Sequence, residues 1–343
     1  MSNVGCLVEN QHENKAGAEA DRGPGFRHVL ACVDSSPLAQ TVIAHAAAVA
    51  AATGARITVM QVLEPPAPGE IPADPVAWGL RLREAEARLE TLTADAGDEL
   101  RTEAAILEGS PAEKICQWAC DHDVDLAVLG THGESSWTEG GLGSTARRVV
   151  ELLPGSILLL PRNTPVASQV CYRRIMVPLD CSAQAEMALP VAVTLAGAHE
   201  ADLILVHASP EVDLIEVGPP EAEDLELRDR LRRRNERVAH AYLRQVQARL
   251  FFGGGAVRIR LLSGDDPRHA IARAAIEERA DVIVLSSSGG GAHADLPVGS
   301  VADYLITHIA TPILVVRDAP ALRRRLRHAH AAASPRLPSQ ALS

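Results

Sequence analysis

The sequence predicts an α/β protein in which one parallel-sheet domain occurs twice in tandem. Three observations carry this. Short apolar runs alternate with helical stretches in the order β-α-β-α-β-α-β-α-β, which places parallel strands between helices on both faces. Apolar residues make up 47% of the chain but aromatics only 3%, so the core must be Val, Leu, Ile and Ala, as suits strands buried on both sides. Finally, the programme runs again in the second half, with Asp34-Ser35 answered by Asp180-Cys181 at an offset of 146 and Gly143-Ser144 by Gly299-Ser300 at an offset of 156. This is duplication of a whole domain, not a solenoid of short units. At 343 residues the chain has room for both copies.

Met1 to about Gly25 is polar and without periodicity, and reads as a disordered arm. The first domain spans 26–162. His28–Val33 is a strand ending in Asp34-Ser35-Ser36-Pro37, with Ser36 as expected N-cap and Pro37 as first residue of a helix that Gly54 stops. Arg56–Val62 is the second strand, followed by a loop with five prolines between Glu64 and Pro75. A helix from about Val76 to Gly97, a strand Arg101–Leu107 and a Ser110-capped helix through Cys120 come next. Asp125–Leu129 and Ser156–Leu160 are the last two strands, separated by a helix at Ala146–Leu153. A linker, 163–171, leads to the second domain, 172–318. It repeats the pattern with strands at Arg174–Leu179, Asp202–Ala208, Val257–Leu261, Asp281–Leu285 and Pro312–Val316. Its helices are expected at Ala183–Leu195, ending near Gly197, and at Ala222–Leu250. The tail, 319–343, carries Arg323-Arg324-Arg325-Leu326-Arg327 and reads as a disordered basic end, more simply a solvated tail than an anion-binding one.

The densest signal is Gly130-Thr131-His132-Gly133, nine residues, then Gly143-Ser144-Thr145, at a junction where a strand ends and a helix begins. Glycines allow close backbone approach and positive φ, and a helix start offers N–H groups and a favourable dipole to an anion. Alone, two glycines make an ordinary loop. The near-repetition Ser286-Ser287-Ser288-Gly289, nine residues, Gly299-Ser300 raises the signal. Ligands of open α/β sheets bind at the carboxyl ends of strands. That edge brings together Asp34 for a sugar or base, Val62 for a purine face, and the glycine loop for phosphates. Asp34 fits equally well as a cap of the first helix.

Composition narrows the alternatives. A net charge of −11 does not mark the whole chain as a nucleic-acid binder. No apolar run is long enough to span a bilayer and the N-terminus lacks a signal-peptide core, so a cytoplasmic protein is expected. Cys116 and Cys120 share a helix face, but no second ligand pair has matching spacing, so they read as reduced packing thiols and no metal site is expected. His132 and His207 read as loop and packed histidines.

Both halves resemble the universal stress protein family. Its nucleotide-binding members carry G-x-x-G, nine residues, G-[ST] after the fourth strand, an Asp after the first and a G-x-P start to the third helix; the first domain has all three. The resemblance implies two Rossmann-like domains, each a five-stranded parallel sheet of order 3-2-1-4-5, and ATP, with Mg as its companion, at the sheet edge. Carried over, Val33, Asp34 and Val62 face base and ribose, while Leu129, Gly130, His132, Gly133, Gly143, Ser144 and Thr145 surround ribose and phosphates. In the second domain Asp180, Ala208, Gly289, Gly299, Ser300 and Val301 hold the matching places. There Ser286 replaces the first glycine and Ala208 the valine, so weaker nucleotide binding is expected. The resemblance also implies pairing of Ser156–Leu160 with Pro312–Val316 inside the chain, homo-oligomers, and a regulatory protein partner. The expected function is an ATP-dependent regulator or sensor in the stress response. A slow ATPase and a nucleotide-independent interaction module are the alternatives; the chain has no P-loop lysine motif.

Overall fold

The computed structural model describes residues 25–65, 74–94, 102–133, 141–210, 222–251, 253–287 and 298–318. Residues 1–24 of the expected arm, the tail 319–343 and Gly289 lie outside the described residues.

The first half runs β1 (His28–Val33), α1 (Ala39–Thr53), β2 (Arg56–Leu63), α2 (Pro75–Ala94), β3 (Thr102–Glu108), α3 (Pro111–Asp121), β4 (Leu126–Gly130), α4 (Ser144–Leu152) and β5 (Ser156–Leu160). The second half runs β6 (Arg174–Pro178), a 3₁₀ turn (Ala185–Ala188), α5 (Leu189–His199), β7 (Asp202–Ser209), α6 (Ala222–Arg249), β8 (Val257–Ser263), α7 (Pro267–Glu277), β9 (Val282–Ser286), α8 (Ser300–His308) and β10 (Ile313–Val316). The strands form one ten-stranded sheet, β3-β2-β1-β4-β5-β10-β9-β6-β7-β8, so each half is a parallel 3-2-1-4-5 sheet. The halves join where β5 and β10 pair antiparallel, with Leu314 opposite Leu158. Both strands are wholly buried and entirely aliphatic after Ser156, which suits the centre of a covered sheet.

Two apolar layers run the length of this sheet. One lies under α1, α2, α5 and α6 and the other under α3, α4, α7 and α8. The seam between halves also has polar ties. His45 of α1 hydrogen-bonds the Tyr172 hydroxyl at 2.8 Å, and the Tyr172 ring meets His199 of α5 edge-on. Arg317, just past β10, crosses to the first half and donates to the carbonyls of Val150 and Leu153 at 2.6 Å. It thereby satisfies the end of α4 at the negative pole of the helix. Burial pulls this guanidinium down to about 10.

Each half is closed at its base by the same device. Asp125 Oδ2 accepts from the backbone N–H groups of Arg27 and His28, and Asp281 Oδ2 from those of Arg173 and Arg174. These carboxylates anchor the start of β1 to β4 and of β6 to β9.

Several helix ends differ from expectation; the helix expected from Ala183 opens as the 3₁₀ turn, with α5 starting at Leu189, and α4 starts at Ser144 instead of Ala146. Ser36 is not the N-cap of α1; the helix starts at Ala39. The Asp34 carboxylate takes the Ser36 N–H at 3.0 Å, making a local turn that competes with helix and delays it. Gly197 does not end α5 either. The helix continues to His199 and stops at Glu200, which takes the left-handed conformation at φ 52°. Gly197 sits in the helix interior, where an alanine-rich neighbourhood carries it.

Candidate functional site

The carboxyl ends of β1, β2 and β4 and the start of α4 enclose a cleft of about 280 Å³. Every first-half candidate lines it: Val33, Asp34 and Val62 from the strand ends, Leu129, Gly130, His132 and Gly133 from the loop, and Gly143, Ser144 and Thr145 from the helix start. The loop is tied at both ends. Thr131 N–H donates to Leu160 O at 2.8 Å, and Gly143 N–H donates to Thr131 O at 2.8 Å. Gly143 is the N-cap of α4 and supplies no side-chain cap, so the first N–H groups of the helix face the cleft at its positive pole.

The glycines work by size rather than by handedness. Among the described residues the positive-φ glycines are Gly54, Gly109, Gly141 and Gly264, so Gly130, Gly133 and Gly143 are not in that region, contrary to expectation. A Cβ on Gly130 would stand 2.6 Å from Leu38 Cδ2 and 3.3 Å from the His132 carbonyl oxygen; one on Gly133 would stand 3.3 Å from Asp34 Oδ2. A side chain on the loop would therefore crowd Leu38 at the head of α1 and the Asp34 carboxylate.

His132 hydrogen-bonds Thr131 Oγ1 at 3.0 Å. Burial, then the nearby Arg162 charge, lowers its pKa, so it is neutral at pH 7. Sequence reasoning did not single out two polar lining residues, Gln61 and Arg81. Gln61 is 4% exposed and its buried Oε1 has no hydrogen-bond partner. A polar residue inside the apolar run of β2 was the available signal. Arg81 enters from α2, its guanidinium 5.4 Å from the Trp78 ring centroid. Nothing in a helical pattern distinguishes it from its neighbours.

In the second half Asp180, Ala208, Gly299, Ser300 and Val301 stand at the ends of β6 and β7 and the start of α8. The frame repeats: Ser287 N–H donates to Val316 O at 3.0 Å and Gly299 N–H to Ser287 O at 2.7 Å. The lining does not. Cys181 takes the place of Ser35 and is left-handed at φ 66°. His207 takes the place of Gln61 and reaches across the strand ends, with Nδ1 2.8 Å from Leu179 O. Burial, then Asp180 and Glu186, pushes the Cys181 thiol up, so it is not an activated nucleophile.

A family model described as Universal stress protein family matches this chain twice, over residues 25–161 and 172–317. The chain belongs to the universal stress protein family. Similar members include a universal stress protein of Thermus aquaticus, 35% identical over 147 residues, covering 43% of this chain and 99% of that one. Another is universal stress protein Rv2623 of Mycobacterium tuberculosis, 24% identical over 202 residues. That match covers 57% of this chain and 62% of the mycobacterial relative's length. The solved structure of a universal stress protein from Archaeoglobus fulgidus shares the fold, with a TM-score of 0.58 and 21% identity, covering 84% of this chain and 98% of that one. Family membership supports a role in the stress response. Among the described residues of this universal stress protein, no helix is long and apolar enough to cross a membrane and no group of three or more His, Cys, Asp or Glu is placed to hold a metal ion.

Proposed function

We propose that this universal stress protein binds ATP in the first-half cleft and acts as a nucleotide-dependent regulator or sensor. The observation that carries the reading is one cleft that pairs an uncapped helix start with a buried, unpartnered acceptor, Gln61 Oε1. The N–H groups at the head of α4 suit phosphate oxygens. Gln61 Oε1 suits the exocyclic amino group of adenine, which would satisfy an otherwise costly buried oxygen. Val33, Val62 and Leu129 supply apolar faces for the ring, and Asp34 an acceptor for ribose hydroxyls. Mg accompanies the triphosphate as counter-ion. In this reading the nucleotide sets a state that a regulatory partner, or further copies of the chain, respond to in the cytoplasm. The second half, with Ser286 and Ala208 in place of glycine and valine, binds ATP more weakly.

The test is the nucleotide content of the purified protein, released by denaturation and separated by chromatography, beside Gly143→Glu. A carboxylate at the N-cap suits the helix dipole but repels phosphates, so the variant should fold and lose ATP. A stoichiometric equivalent of ATP that disappears in the variant is the expected result. No nucleotide in either protein, with no ATP binding by calorimetry, would overturn the proposal.

A further inference from the structure

The first-half cleft has two ends. The strand order is β3-β2-β1-β4-β5, so β2 stands two places from β4. At about 4.8 Å per strand spacing, the end of β2 lies roughly 10 Å from the end of β4, where the glycine loop leads into α4. A nucleotide with its phosphates at the head of α4 therefore brings its base to the end of β2. There Gln61 and Val62 line the cleft from the strand, Pro111 and Ile115 from α3, and Arg81 from α2.

The two helices reach this end from opposite faces of the sheet. Leu89 of α2 packs in the layer of Ile57, and Ile115 of α3 in the layer of Leu30. A flat ring seated at the end of β2 is thus met from one side by Pro111 and Ile115 and from the other by the Arg81 guanidinium. Arg81 is exposed, and among the described residues no carboxylate forms an ion pair with it, although Glu64 lines the same cleft. Its guanidinium lies over the Trp78 ring, 5.4 Å from the centroid. Trp78 Nε1 in turn donates to Glu108 Oε1 at 3.2 Å. Glu108 is the last residue of β3, so the indole is tied to the sheet and steadies the guanidinium beside it. A guanidinium laid over one ring keeps its other face open to a second.

The second half lacks this arrangement. Matching Ala85, Leu89 and Leu92 of α2 with Ala239, Leu243 and Val246 of α6 sets Asn235 opposite Arg81 and Arg232 opposite Trp78. Ser263 stands opposite Glu108, since Leu63 pairs with Glu108 at the end of β2 as Ser209 pairs with Ser263 at the end of β7. Glu108, Trp78 and Arg81 are thus confined to the half that also carries Gln61. We propose, on the ATP reading of this cleft, that Arg81 is its base-stacking residue, with the guanidinium on the face of the adenine, Gln61 at its edge, and Trp78 and Glu108 as positioning residues. Stacking asks only for a π-face, so Arg81 adds affinity for the base while the choice among bases falls to Gln61.

The experiment is calorimetric titration of the full chain with ATP and with ADP, repeated on Arg81→Met, Arg81→Lys, Trp78→Leu and Gly143→Glu. Arg81→Met keeps the apolar stem at an exposed position and removes the planar cation. It should weaken ATP and ADP by the same factor, about 5-fold. Arg81→Lys keeps the charge without the plane and should stay within about 2-fold of Arg81→Met. Trp78→Leu loosens the guanidinium and should cost about 3-fold, with no further loss when added to Arg81→Met. Unchanged affinity in Arg81→Met would overturn the assignment. So would a larger loss for ATP than for ADP, or full recovery in Arg81→Lys, either of which marks a phosphate contact. A Trp78→Leu loss that persists beside Arg81→Met would put the indole on the base in place of the arginine. ATP binding that Gly143→Glu abolishes and Arg81→Met leaves intact overturns the role of Arg81 alone, whereas no ATP binding by the unaltered chain overturns the ATP reading and this role with it.

Discussion

The two halves of this chain keep one backbone and furnish it differently. Asp125 and Asp281 tie down the first strand of each half through equivalent backbone bonds. Gly143 and Gly299 cap the fourth helices at φ −59° and −63° and close onto Thr131 and Ser287 through equivalent bonds. Yet at the strand ends Ser35, Gln61, Val62 and Gly130 of the first half become Cys181, His207, Ala208 and Ser286. The lesson is that the loop frame depends on main-chain bonds that the lining does not touch. A duplicated domain can therefore lose or redirect a ligand without disturbing its fold, provided the strand-end side chains find local partners, as His207 does on Leu179.

The largest expected effect tests the seam. His45 and Tyr172 form a buried polar pair, whereas the matching places in the repeat hold the apolar Val191 and Phe26. Burial lowers the pKa of His45 from 6.5 to about 4. Its partner is the Tyr172 hydroxyl, and that tyrosine in turn meets the His199 ring and feels the Asp281 charge. The unfolded chain therefore takes up a proton at this site before the folded one does, so stability falls as pH drops from 6.5 to 4. The loss from this residue is about 3 kcal/mol, complete below pH 4. The lowered His28 and His199 act in the same direction. Installing the apolar version, His45→Val with Tyr172→Phe, should flatten that part of the slope in urea titrations at a series of pH values. An unchanged slope would mean that His45 does not carry the acid loss.

Arg317 is the next asymmetry, since Pro161 holds the matching place after β5. Arg317→Met keeps the length but leaves the Val150 and Leu153 carbonyls without their donors. A cost of about 2–3 kcal/mol is expected, read as a fall in urea midpoint at unchanged m-value. Because the guanidinium engages the far end of the helix that heads the cleft, ATP affinity should fall only slightly if the cap acts on stability alone. A fall as large as that of Gly143→Glu would instead make the seam part of the nucleotide site.

A third test exchanges the loops. Gly130→Ser copies Ser286 into the first half, where its Cβ would press on Leu38, which lines the cleft. ATP affinity should drop about 10-fold, with recovery in Gly130→Ser/Leu38→Ala. The second half has Gln184 in the place of Leu38, so the same serine meets a different neighbour there. No drop in affinity would remove close approach as the reason for the glycine.

Much of this was legible in the sequence. The apolar runs located ten strands because parallel strands buried on both sides admit few polar residues, and the repeat fixed their grouping. The ten first-half candidates converge on one cleft because spacing relative to strand ends sets position at the sheet edge. What was not legible depends on neighbours distant in the chain. The start of α1 was misplaced because the Asp34 turn outcompetes the Ser36 cap. Of the two reasons expected for the glycines, close approach and positive φ, only the second fails, and the contact of Gly130 with Leu38 was hidden because it exists only once α1 is docked. Arg317 gave no signal, since its partners lie more than 160 residues earlier.

The smallest effect isolates a single backbone conformation in the two halves. Gly54 ends α1 at φ 69° and ψ 25°, and Glu200 ends α5 at φ 52° and ψ 38°, each donating its N–H four residues back, to Ala50 and Ala196. The geometry and hydrogen bond are the same; only the Cβ differs. A side chain pays roughly 1 kcal/mol for the left-handed region, partly offset by the greater freedom that glycine has in the unfolded chain. Glu200→Gly should therefore stabilise the second half by about 0.5 kcal/mol, and Gly54→Ala should destabilise the first by about 1 kcal/mol. A Cβ at position 54 would find nothing within 4 Å, so the cost there is conformational rather than steric. Opposite signs in paired denaturation curves are the expected result. If Glu200→Gly destabilises, the glutamate side chain holds the end of α5 through a contact worth more than its backbone strain, and the two helix ends are stabilised by different means.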